Sequence, residues 1–126
     1  MTATILVADD SATMRMIVQA TLAQAGWRVL TAGDGRQALA LARDNRIDML
    51  VSDWNMPVMG GLALIQGLRG EPGYRDLPVL VLTTEDDGQS KNAARNLGVC
   101  GWLNKPLDPG VLVDLASELL GEQAGA

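Results

Sequence analysis

Thr4-Ile5-Leu6-Val7-Ala8-Asp9-Asp10-Ser11 carries an unbroken apolar run straight into two adjacent acids. The run does not alternate between apolar and polar residues, so both faces of the strand it forms are buried, as in parallel sheets. Ser11 can cap a helix from about Ala12 to Ala25, with Met14, Ile17, Val18 and Leu22 on one face. The scheme returns twice. Met49-Leu50-Val51-Ser52 ends on Asp53, and Val79-Leu80-Val81-Leu82 ends on Thr83-Thr84.

Between these lie the remaining units. Gly26 stops the first helix and Arg28-Val29-Leu30-Thr31-Ala32 reads as a second strand. Asp34, with Gln37 in capping-box position, opens a helix to about Arg43. A loop from Trp54 to Gly60 precedes a short helix marked by Leu62, Leu64, Ile65 and Leu68. Residues 89–97 form a weakly apolar fourth helix, and Val99 to Leu103 a fifth strand at the sheet edge. Asp108 as N-cap and Pro109 at the first helical position open a last helix with Val111, Leu112, Leu115 and Leu119 inward. Five strand–helix units with right-handed crossovers make an α/β fold around a parallel sheet. One domain is expected over 1–126, with its core at about 4–120 and a frayed tail at 121–126.

Composition removes whole classes of function. The chain has no histidine, so neither a Ser-His-Asp triad nor a His-ligated metal can form within it. Its one cysteine, Cys100, excludes an internal disulfide and fits a reducing, cytoplasmic compartment, where it is expected as a small buried hydrophobe. Ten basic against fifteen acidic residues give a net charge of −5, which argues against DNA or RNA as partner. No apolar stretch approaches the ~20 residues of a membrane helix.

In open α/β sheets, ligands bind beyond the carboxyl ends of the strands. Asp9, Asp10, Asp53, Thr83 and Lys105 all stand at such ends, on four separate strands. If the first and third strands are neighbours, the three carboxylates converge in one crevice, where they repel one another and call for a cation. Asp oxygens suit a hard divalent ion, and Mg²⁺ fits best. Asp53 can then act as a carboxylate nucleophile toward a phosphoryl group, with Lys105 and Thr83 placed to hold its oxygens.

Val7-Ala8-Asp9-Asp10-Ser11, Ser52-Asp53-Trp54-Asn55-Met56-Pro57, Leu82-Thr83-Thr84-Glu85 and Lys105-Pro106 together resemble the receiver domain of response regulators, in particular its single-domain chemotaxis members. The resemblance runs from about Thr4 to Leu120. It implies a flavodoxin-like, doubly wound five-stranded sheet of order 2-1-3-4-5 with helices on both faces. It makes Asp53 the phosphoacceptor, and Asp10 and Asp53 direct Mg²⁺ ligands with the Asn55 backbone carbonyl, Asp9 acting through water. Thr83 and Trp102 become switch residues and Lys105 a phosphoryl partner ahead of a cis proline. Asn55 and Glu85 tune hydrolysis. A histidine kinase is implied as donor. A monomer would then turn a face made of residues 89–97, Trp102 and 109–120 toward an output protein such as a flagellar motor switch component. Gly60-Gly61 stands where the family usually has Asp-Gly, and Leu107 where it usually has Phe.

Each residue has a plainer reading. Asp after a strand is commonly a turn or cap residue, Lys105 alone can be a solvated loop lysine, and Trp102 can be a packed edge-strand tryptophan. Two other functions share the chemistry. One is a phosphorelay intermediate that passes phosphate to another histidine protein. The other is a phosphatase of the haloacid-dehalogenase type, which places its nucleophile after the first strand rather than the third.

Overall fold

The computed structural model describes residues 2–84 and 88–121. In chain order the elements are β1 (Thr4–Ala8), α1 (Ala12–Gln24), β2 (Arg28–Ala32), α2 (Gly35–Asp44), β3 (Met49–Ser52), α3 (Gly61–Arg69), a 3-10 turn (Pro72–Tyr74), β4 (Val79–Thr83), α4 (Gly88–Asn96), β5 (Gly101–Asn104) and α5 (Pro109–Leu120). All strand pairs are parallel, in the order β2-β1-β3-β4-β5. Asp9, at the end of β1, and Asp53, at the end of β3, therefore leave adjacent strands at the same edge of the sheet.

Alternation of side chains along each strand splits the core into two layers. Leu6, Ala8, Leu50, Val79 and Val81 face α2 and α3, where they meet Ala38, Leu39, Ala42, Leu64, Ile65 and Leu68. Ile5, Val7, Met49, Val51, Leu80 and Leu82 face α1 and α5, where they meet Val18, Leu22, Leu112 and Ala116. All of β1 and β4 is buried, which explains the continuous apolar runs.

The caps are those expected. The Ser11 hydroxyl accepts from Met14 N, the Asp34 carboxylate from Gln37 N, and the Asp108 carboxylate from Gly110 N and Val111 N. Gln37 completes the box one residue early, its Oε1 accepting from Gly33 N at 3.0 Å.

Several expectations change. Cys100 is exposed, not buried, because it lies just ahead of β5 on the uncovered edge of the sheet. Ile17 and Val111 are 44% and 41% exposed. The apolar arcs of α1 and α5 are wider than the sheet can cover, and Val18, Leu22, Leu112 and Ala116 take the inward positions. β5 begins at Gly101 rather than Val99, since Gly98 turns the chain at φ 76°. Trp27 is buried beside Leu22 and Ile5, a core role its position in a turn did not reveal. Glu85 and the tail residues 122–126 lie outside the described residues.

Candidate functional site

Ladder geometry brings the acids together. Asp9 N donates to Ala32 O at 3.1 Å and Asp53 N to Ala8 O at 2.8 Å, so both residues are fixed by the strands beside them. Asp9 and Asp53 are buried and Asp10 is exposed. One carboxylate oxygen from each of the three lies within 4.8 Å of those of the other two. Three negative charges at that separation demand a counter-charge.

Lys105 supplies one. Its Nζ donates to Asp9 Oδ2 at 3.0 Å and to Asp53 Oδ2 at 3.3 Å. The loop after β5 delivers it. Lys105 N donates to Thr83 O at 2.9 Å, extending the β4–β5 pairing by one bond, and the Lys105–Pro106 peptide is cis as expected. Burial pushes the Asp53 carboxyl above its ordinary value of 3.8; Lys105 opposes this and the charge of Asp9 adds to it. Burial alone would lower the Lys105 ammonium, but its hydrogen bond to Asp9 and the charges of Asp53 and Asp9 outweigh that and raise it above 10.5. Both groups are thus set by the same few ångströms.

The surrounding backbone is closely fitted. Trp54 N donates to Asp53 Oδ1 at 2.7 Å, and Gly61 N donates to Trp54 O at 2.9 Å. A Cβ on Gly61 would fall 2.5 Å from Asp53 O, so only glycine lets α3 start there. Gly60 caps α3 without a side-chain hydrogen bond, at a cost of a few tenths of a kcal/mol relative to Asp. Val58, in the same loop, holds a φ of 68°, an outlying conformation for a β-branched residue.

Thr83 is fully buried at the end of β4, and Asn55 is exposed in the loop after Asp53. Trp102 sits half-buried on β5. Its indole Nε1 donates to Asn104 Oδ1 at 3.2 Å, and its ring lies 5.5 Å from that of Trp54, tilted by 55°. An aromatic contact thus joins the residue after Asp53 to the edge strand. The structure gathers Asp9, Asp10, Asp53 and Lys105 into one cluster. Arg15, whose Nη1 donates to Asp9 O at 2.7 Å, belongs to its surroundings and was not singled out from sequence. It is the only charged residue in α1, a signal that was there to be read.

A flavodoxin-like parallel sheet with paired acids after β1, an aspartate after β3 and a lysine after β5 defines a class. The chain belongs to the response regulator receiver domain family, which it matches over residues 5–117. It is thus a CheY-like receiver of the two-component type. The chemotaxis protein CheY homolog of Campylobacter jejuni is 39% identical over 123 residues, which is 96% of this chain and 95% of that protein. The solved structure of Vibrio cholerae chemotaxis protein CheY4 superposes with a TM-score of 0.90 at 40% identity, covering 94% of this chain and 99% of its own. A response regulator protein from Burkholderia multivorans is 50% identical over the full length of both chains, with a TM-score of 0.79.

Proposed function

We propose that this receiver accepts a phosphoryl group from a histidine kinase onto Asp53 in a Mg²⁺-dependent reaction, and that the chain, with its core at about 4–120, works as a monomeric cytoplasmic switch. The observation that carries the reading is the Lys105 ammonium bridging Asp9 and Asp53 inside a three-carboxylate cluster.

The donor set is all oxygen, which suits Mg²⁺. Asp9, Asp10, Asp53 and the Asn55 carbonyl would hold the ion, and it would supply positive charge beside the phosphoryl oxygens. An Asp53 carboxylate oxygen attacks phosphorus, the P–N bond to the donor imidazole breaks, and that nitrogen takes up a proton from solvent. The product is an acyl phosphate. Lys105 holds the Asp53 carboxylate toward the crevice before transfer and pairs with the phosphoryl group after it. Thr83 hydrogen-bonds a phosphoryl oxygen, and Asn55 and Glu85 set how soon water removes the group. The reaction is self-limited rather than a turnover of free substrate.

Output runs through β5. Trp102 touches Trp54, and α4 buries only Ala94 among its described residues, so this edge yields first. The face of residues 89–97, Trp102 and 109–120 then changes its affinity for a protein partner. The names of the relatives support chemotaxis as the pathway, and the target proposed with it is a flagellar motor switch component.

Trp fluorescence during addition of Mg²⁺ and then acetyl phosphate or beryllofluoride tests the acceptor step. The wild type should respond and Asp53→Asn should not. An unchanged response in Asp53→Asn would end the assignment. Pull-down with beryllofluoride-treated protein tests the output: recovery of a His-phosphotransfer protein in place of a motor component would make the chain a relay intermediate.

A further inference from the structure

Every polar group of Asp9 is engaged. Its N donates to Ala32 O, its Oδ1 accepts from Ser11 N at 2.9 Å, its Oδ2 accepts from Lys105, and its carbonyl accepts from Arg15 Nη1. The last contact is the unusual one. In a parallel ladder the donor for that carbonyl would come from the neighbouring strand two residues beyond Ala32. β2 ends at Ala32, and the chain turns into α2. The Arg15 guanidinium takes the vacant place, reaching back from α1 over six residues at 2.7 Å, a charge-assisted length. Gly33 makes room for it. A Cβ there would stand 3.3 Å from Arg15 Nη1.

We propose that Arg15, seated against Gly33, is a positioning residue that fixes the Asp9 backbone so that its carboxylate is presented to Lys105 and to Mg²⁺. The proposal rests on the metal reading above. Outer partners of metal ligands act in this way, by restricting the ligand's orientation. The role predicts a sign opposite to simple electrostatics. Removing a cation next to three acids would by itself tighten Mg²⁺ binding; losing the tether loosens it.

Calorimetric titration of the whole chain with MgCl₂ alone, paired with urea unfolding in chelator, separates the possibilities. Arg15→Met should weaken Mg²⁺ binding by about tenfold, beyond any change in the urea midpoint. Arg15→Lys, which keeps a donor and a charge, should recover part of the loss and guards against a misfolded Met variant. Gly33→Ala should weaken binding in the wild type and have no effect in the Arg15→Met background, as expected for residues acting through one contact. Equal or tighter Mg²⁺ binding by Arg15→Met overturns the proposal, as does an equal Gly33→Ala loss in both backgrounds. A wild type that binds no Mg²⁺ brings down the metal reading and this proposal together, an outcome distinct from a null result in Arg15→Met.

Discussion

Two helices of similar length are attached to the sheet very differently. α2 buries Gly35, Ala38, Leu39 and Ala42, whereas α4 buries Ala94 alone. The strands beneath repeat the contrast. β1 and β3 are buried throughout, and no residue of β5 is. The acids therefore leave from fully buried strands, and Trp102 from a thinly held one. A phosphoryl acceptor needs fixed geometry, because positioning and electrostatics carry such transfers. A signalling edge needs a low local unfolding free energy. In the proposed function the two requirements would fall to different strands of one sheet, joined at the Trp54–Trp102 contact.

The contrast can be broken at its centre. Leu50→Ala, at a fully buried position in β3, should destabilise the fold by about 2–5 kcal/mol. Leu97→Ala, partly exposed beside α4, should cost about 1 kcal/mol. Urea midpoints check both, and equal losses would remove the distinction. Hydrogen exchange sharpens it without mutation: amides of Leu6–Ala8 and Leu50–Ser52 should exchange at least about tenfold more slowly than those of Ala94 to Asn104.

A smaller effect concerns the site itself. Asp53 has a raised pKa in the folded state. Its contribution to stability is therefore full below 3.8 and is lost as pH rises through the raised value. Without Mg²⁺, Asp53→Asn should be more stable than the wild type at pH 7, by roughly 0.5–2 kcal/mol, and the gap should close on going to pH 4. A gap that widens toward low pH would contradict the burial of that carboxyl. Smallest is Val58→Asn, which should gain about 0.5–1 kcal/mol because asparagine tolerates positive φ better. Thermal melts would register it.

Much of this was legible in the chain. β2 and β3 begin and end where the sequence placed them, since buried parallel strands need unbroken apolar runs and caps bound their helices. The order of motifs put Asp9, Asp10, Asp53 and Lys105 at one edge. Legibility failed where neighbours decide exposure. Ile17, Val111 and Cys100 are apolar by type, yet on α1, on α5 and just ahead of β5 they are exposed among the described residues. The Arg15 tether depends on where β2 stops, and Gly61 on how near α3 comes to Asp53. These are distances across the fold, and no local period encodes them.

The hydrogen at residue 61 has a consequence for how this corner can diversify. With a methyl group excluded by the oxygen of Asp53, a mutational library at that position should return essentially one amino acid. Its neighbour at 60 faces a milder approach, 3.2 Å, and can vary. Substitutions could thus rewrite partner choice all around the rim while the route into α3 stays frozen by a single missing carbon.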